Sequence, residues 1–164
     1  MVIIGIDPGT TESGYTAWDA DKAKLLDYGK LDNNIVIDKI REHKDVKDVV
    51  FVIEGFKSYG MIMGQSTIDS IFWSGRFAQE ITYITDKLYI VPRKTCVTKL
   101  CGVAKAKDGN VSRRLKDLFG EKGTKKNPGI LYGISKDAWS ALSYCVYIAM
   151  ELGYKYEEDY KVGL

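Results

Sequence analysis

The sequence predicts one α/β domain built on a mixed sheet of about five strands. Short apolar runs bounded by turn residues recur through the first 91 residues, and segments with apolar side chains at helical spacing lie between and after them. In order, these segments read β-β-β-α-β-α-β-α-α-α. The length of 164 residues suits one core, so we expect residues 1–164 to form one domain, with 153–164 as a C-terminal tail.

The first half of the chain is predicted to form four strands and one short helix. The first three strands are separated by short polar turns, which favours an antiparallel meander. The fourth is the most hydrophobic run of the chain. In order, these elements are the strands Val2–Ile6, Gly14–Trp18 and Leu25–Leu31, the helix Ile35–His43 and the strand Val49–Ile53.

The second half is predicted to form one strand and four helices. A Gly-rich stretch, residues 55–64, precedes a long helix with apolar residues at helical spacing. Pro92 ends the last strand, and Ser135 is a suitable N-cap for the last helix. In order, these elements are the helix Gln65–Thr85, the strand Leu88–Val91 and the helices Lys94–Cys101, Gly109–Phe119 and Ser135–Leu152.

The composition argues against several classes of protein. An aromatic content of 12% is too high for a disordered chain, and no apolar run approaches the ~20 residues of a membrane helix. The N-terminal segment lacks the basic flank of a signal peptide. Three cysteines without a CxxC pattern and a single histidine make a zinc site unexpected, and we expect reduced thiols in a cytoplasmic compartment.

Charge is unevenly distributed along the chain. Residues 92–126 contain 11 Lys and Arg against 3 Asp and Glu, whereas the remainder contains 13 against 19. This asymmetry is typical of a basic face that binds a polyanion, and equally of a solvated helical surface.

Three carboxylates lie at positions where a purely structural role for all of them is a weak explanation. Asp7 ends an apolar strand, Glu54 ends the most hydrophobic strand, and Asp137 falls in the first turn of the last helix. Sites in open α/β sheets form beyond the carboxyl ends of strands, so Asp7 and Glu54 are predicted to meet there if their strands are neighbours. Oxygen ligands of this kind suit Mg²⁺ or Mn²⁺, and a pair of such ions can hydrolyse a phosphodiester.

Each acid also has a structural explanation. Asp7 could belong to a strand-ending turn, and Asp137 could complement the helix dipole. Glu54 has the weakest explanation of this kind, because burying an unpaired charge is costly.

An ordered set of motifs resembles RuvC-type Holliday junction resolvases of the ribonuclease H-like superfamily. Residues 4–15 (IGIDPGTTESGY) resemble the opening strand and turn, Val52–Glu54 the second acidic strand, and Asp137–Leu142 the last catalytic helix. Gly75-Arg76 and the segment 91–111 resemble the stretches between them. The resemblance spans residues 2–150 and implies a ribonuclease H-like fold.

The resemblance also implies a homodimeric endonuclease that cuts four-way DNA junctions, using two Mg²⁺ ions per active site, with Mn²⁺ as a substitute. By position, Asp7 would bridge both ions, Glu54 would hold one and Asp137 the other. Family members carry a second acidic ligand three residues further along the last helix, where this chain has Ser140. Either water serves beside Asp137, or the helix is shifted so that Asp137 is the inner ligand.

Roles in DNA binding follow from the same resemblance. Four lysines of the basic segment would contact phosphates, namely Lys94, Lys99, Lys105 and Lys107. Lys107 would approach the scissile phosphate. An aromatic side chain after the strand acid, Phe56 or Tyr59, would contact unstacked bases, with core packing as the alternative for Phe56.

The long helix supplies candidates for the dimer contact. Phe72, Trp73 and Phe77 offer more apolar surface than one face of a sheet absorbs, although ordinary core packing is an alternative.

Other functions stay open at this point. One is a ribonuclease H-type nuclease acting on RNA–DNA hybrids, and another is a junction-binding protein with a degenerate site. The run Asp7–Thr11 also resembles the phosphate loop of sugar kinases and actin-like ATPases, but those enzymes need two such domains.

Overall fold

The computed structural model describes residues 1–58, 60, 62–135 and 137–156, and it confirms the predicted order of elements. The strands are β1 (Val2–Asp7), β2 (Glu12–Asp19), β3 (Lys24–Asp32), β4 (Val49–Gly55) and β5 (Leu88–Pro92). The helices are α1 (Asn33–Arg41), α2 (Gln65–Thr82), α3 (Arg93–Cys101), α4 (Asp108–Phe119) and α5 (Ala138–Glu151).

The strands form one mixed sheet in the order β3-β2-β1-β4-β5. The first three pair antiparallel, which confirms the meander, whereas β4 pairs parallel with both β1 and β5. The carboxyl ends of β1 and β4 therefore emerge side by side. The apolar residues of β1 and β4 are buried except Val2, which is partly buried, as expected for central strands with both faces covered.

Helices cover both faces of the sheet. One apolar cluster joins the sheet to α1 and α2, and the other joins it to α3, α4 and α5. Ile6 and Ile53 belong to the first cluster, and Val52 belongs to the second. Since side chains alternate along a strand, Asp7 and Glu54 project toward the α5 face.

The last helix begins later than predicted. α5 starts at Ala138 with Asp137 at its N-cap position, so the assignment of Ser135 as N-cap is wrong. Ser135 lies in the preceding turn, where its carbonyl accepts a hydrogen bond of 3.2 Å from the Ala138 N–H. The Asp137 side chain makes no capping hydrogen bond within the described part of the chain.

The predicted dimer contact on α2 needs one correction. Phe77 is fully buried in the cluster beneath α2, where it stacks on Trp73 with ring centroids 5.8 Å apart. Trp73 is itself packed against that cluster. Phe72, at 69% exposure, therefore carries most of the apolar surface that this aromatic group leaves in solvent.

Among the residues that the structure describes, no helix has the length and apolar character needed to cross a bilayer.

Candidate active site

Asp7 and Glu54 meet at the carboxyl ends of β1 and β4. Ile6 and Ile53 are partners in the parallel register, so the two acids occupy the next position on adjacent strands. They are close enough that the carboxyl group of Asp7 raises the pKa of Glu54. The prediction that Asp7 and Glu54 meet at the carboxyl ends of neighbouring strands is therefore confirmed.

Helix α5 brings Asp137 and Ser140 to the same place. It packs closely on the sheet because two strand residues lack side chains: a Cβ on Gly5 would collide with the carbonyl of Ala141, and a Cβ on Gly14 with that of Asp137. Asp137 and Ser140 are three residues apart, which puts both on one side of the helix. Both line the cavity in front of the Asp7–Glu54 pair.

That cavity has a volume of ≈ 480 Å³. The sheet supplies its acidic floor, α5 one wall, and the starts of α3 and α4 the opposite wall. Its lining residues are Asp7, Glu54, Arg93, Asp108, Gly109, Val111, Ser112, Asp137, Trp139 and Ser140.

The pKa of Glu54 is raised to about 9. Burial is the main cause, and the hydrogen bond and negative charge of Asp7 raise it further. The charge of Arg93 and the Tyr144 hydroxyl act in the opposite direction. A cation placed between the two carboxylates would offset their mutual repulsion.

The other two acids of the cavity face basic side chains. Arg93 is ion-paired with Asp108 at the starts of α3 and α4. Lys30 of β3 reaches Asp137, with 2.9 Å between Nζ and Oδ2, and this contact raises the pKa of Lys30. Arg93 follows β5 directly, so it could have been predicted from the rule that sites form beyond the carboxyl ends of strands. Lys30 has no local sequence signal, because only strand pairing brings it here.

One buried hydroxyl beside the acids lacks a hydrogen-bond partner. Within the described ranges, Ser140 Oγ makes no hydrogen bond. An unsatisfied buried polar group costs about 1–3 kcal/mol, so its presence beside a cavity is consistent with a polar ligand.

Carboxylate oxygens are the donors that Mg²⁺ and Mn²⁺ prefer, so the Asp7–Glu54 pair fits such an ion. No group of three or more acidic, histidine or cysteine side chains forms a preassembled metal site among the described residues. Asp137 instead engages Lys30.

The lysines predicted to bind DNA lie on α3 and in the connection that follows it. Lys94 and Lys99 line a neighbouring cavity of ≈ 510 Å³, where Lys99 pairs with Glu151 at 3.0 Å. Lys105 and Lys107 are exposed in the connection between α3 and α4. Lys107 is not among the described residues that line the acidic cavity, although the next two residues are.

Neither of the two aromatic residues predicted to contact bases is among the described residues that line the acidic cavity. Phe56 is half-buried and lines a separate cavity with Lys57 and Ser58. Tyr59 lies outside the described residues. Trp139 is an aromatic side chain of the acidic cavity that the sequence argument missed, and it is partly packed on the core beneath α5.

The raised pKa of Glu54 predicts a pH-dependent stability in the absence of metal. Above the ordinary carboxyl range, unfolded Glu54 loses its proton while folded Glu54 keeps it, so the free energy of unfolding should fall as pH rises. The slope from this group is at most ~1.4 kcal/mol per pH unit. Urea denaturation in a chelator between pH 5 and pH 8 measures it. Glu54→Gln should remove this contribution, whereas Glu121→Gln, on the surface, should keep it; equal slopes in both variants would contradict the assignment.

Two solved structures share the fold of this chain. No protein-family model and no curated protein matches the sequence significantly. Thermus thermophilus RuvC in complex with a Holliday junction substrate superposes with a TM-score of 0.68 and 16% identity, over 93% of this chain and 94% of that one. A second Thermus thermophilus RuvC structure gives a TM-score of 0.65 and 16% identity, over 94% of this chain and 98% of that one. The predicted ribonuclease H-like fold is therefore confirmed, and it is the fold of RuvC.

Proposed function

We propose that this protein is a divalent-metal-dependent endonuclease that cleaves four-way junctions or other branched DNA. The observation that carries the proposal is the partly buried Asp7–Glu54 pair, which lines one cavity together with Asp137. The fold adds support, since one of the matching RuvC structures is bound to a Holliday junction substrate.

Asp7 and Glu54 are the residues that would hold the cation, Mg²⁺ or Mn²⁺. When bound, such a cation activates water and stabilises the leaving oxygen of a phosphodiester. Asp137 is the candidate ligand for the second ion that the family resemblance implies. Ser140 would contribute at most a hydroxyl, which is a weaker ligand than a carboxylate.

Basic side chains occur in the cavity wall, on α3 and in the α3–α4 connection. Arg93 is half-buried in the cavity wall and presents a guanidinium, which suits a phosphate. Lys94 and Lys99 line the adjacent cavity, and Lys105 and Lys107 lie in the α3–α4 connection. We assign these side chains to the DNA backbone on either side of the cleaved bond.

The decisive experiment is cleavage of a synthetic four-way junction by the full chain in Mg²⁺ or Mn²⁺. A linear duplex and an RNA–DNA hybrid are assayed in parallel, and a chelator provides the metal-free control. Paired nicks in the junction are expected. Cleavage of the hybrid alone would favour a ribonuclease, and junction binding without nicks in either metal would favour a degenerate binding protein.

Because paired cuts need two sites related by a two-fold axis, light scattering should show a dimer with or without the junction.

Neutralising two of the lysines should weaken junction binding and reduce its dependence on salt. Each lost phosphate contact lowers the slope of log K against log salt by roughly 0.9, so Lys99→Ala combined with Lys107→Ala should lower it by about 1–2. Fluorescence anisotropy at several salt concentrations measures the slope. Lys24→Ala, at the opposite end of β3 from Lys30, is the control, and an unchanged slope in the double variant would place these lysines away from the DNA.

A further inference from the structure

Lys30 lies in a row of residues that crosses three strands of the sheet. In the strand register, Asp7 of β1 is paired with Gly14 of β2, and Gly14 with Lys30 of β3. Directly opposed residues project to the same face, here the face covered by α5. Since Gly14 has no side chain, Lys30 can reach over it to Asp137, with Nζ 2.9 Å from Oδ2 and 4.0 Å from Oε2 of Glu12.

The four acids that line the cavity therefore fall into two groups, those paired with a basic side chain among the described residues and those that are not. Of the four acids that line it, Asp108 is paired with Arg93 and Asp137 with Lys30. Asp7 and Glu54 lie against each other, and the charge of Arg93 and the Tyr144 hydroxyl act on Glu54. Beside Asp137, Ser140 contributes a neutral hydroxyl. The anionic charge open to a cation is therefore concentrated on the strand side of the cavity.

We propose that Lys30 is a positioning residue whose ammonium group is a fixed counter-cation for Asp137. As a consequence, without DNA the cavity binds one divalent ion tightly, at Asp7 and Glu54. This inference rests on the proposed function, because it assumes that the cavity binds divalent cations. A second ion at Asp137 would meet the ammonium of Lys30 instead of a free carboxylate. Even in water, a unit charge about 6 Å from a divalent ion changes its affinity roughly tenfold.

The test is a titration of the full chain with Mn²⁺ alone, without DNA. Electron paramagnetic resonance counts the bound ions, and calorimetry gives their affinities. We expect one tight Mn²⁺ in the unmodified protein. Lys30→Met should tighten binding of a second Mn²⁺ roughly tenfold. Lys30→Arg keeps the positive charge and should bind one ion, as should Lys24→Met, which changes an exposed lysine at the start of β3.

Ser140→Asp provides a second, independent variant. It adds an anionic oxygen beside Asp137, so it should also tighten the second Mn²⁺ if both side chains face the ions. A thermal melt accompanies this titration, because a carboxylate buried without a partner destabilises a fold. A large drop in melting temperature with no gain in Mn²⁺ affinity would overturn the placement of Ser140 toward the ion.

The outcomes separate this inference from the proposed function. Two tight Mn²⁺ ions in the unmodified protein, or unchanged binding of the second ion in Lys30→Met, would overturn the role of Lys30 and leave the metal-dependent nuclease standing. Failure of the unmodified protein to bind Mn²⁺ would overturn both. A gain in Lys30→Arg equal to that in Lys30→Met would show that the shape of the lysine, and not its charge, controls Asp137.

Discussion

Asp7→Asn should abolish junction cleavage while leaving junction binding largely intact. Asp7 lines the acidic cavity beside Glu54, and the substitution replaces an anionic oxygen with a neutral amide. A catalytic cation contributes several kcal/mol to the transition state, and each ~1.4 kcal/mol is a factor of ten in rate, so a loss of at least ~10³-fold is expected. In the proposed function, binding depends instead on Arg93 and the lysines of α3 and the α3–α4 connection.

Single-turnover cleavage and gel-shift titration of the same junction measure the two effects separately. Glu54→Gln should behave like Asp7→Asn. The control is Asp45→Asn, which changes an exposed acid beyond α1 and should cleave normally. Nicking by Asp7→Asn at the unmodified rate in Mg²⁺ would remove Asp7 from the active site. Loss of binding together with a lowered melting temperature would assign it a structural role instead.

The sheet and the Asp7–Glu54 pair could be predicted because both depend on local patterns. Each acid directly follows an apolar run long enough to form a strand, and buried parallel strands bring their carboxyl ends to one edge. Asp137 was found by its motif, but its placement at the N-cap depends on a turn whose start the sequence does not mark. Ser135 is as good an N-cap by residue type, and the chain does not use it.

Lys30 could not be ranked from the sequence for a different reason. It is one of the chain's 24 lysines and arginines, and its role depends on the pairing of distant segments. Lys30 reaches the cavity through the registers of two strand pairs and across a glycine. Phe77 shows the same limit in an apolar setting: its helical spacing permits either a core or a surface position, and only the packing of α2 decides for the core.

Gly5→Ala should lower the stability of the protein markedly, although it adds only one methyl group. Its Cβ would collide with the carbonyl oxygen of Ala141 and come within 2.7 Å of Cys145 Sγ, so α5 would have to move away from β1. Overpacking of this kind costs typically ~1–3 kcal/mol. For a chain of this size each kcal/mol lowers the melting temperature by about 2–4 °C.

Gly75→Ala makes the matched comparison, because the same methyl group should there have the opposite effect. Gly75 is exposed within α2, and among the described residues no atom lies within 4 Å of its added Cβ. Alanine in a helix interior is favoured over glycine by ~0.5–1 kcal/mol, so the melting temperature should rise slightly. Calorimetry of both variants measures the difference. In Gly5→Ala, cleavage should fall along with stability, because α5 carries Ser140 and follows Asp137 directly. A Gly5→Ala protein as stable as the unmodified chain would mean that α5 does not pack this closely on β1.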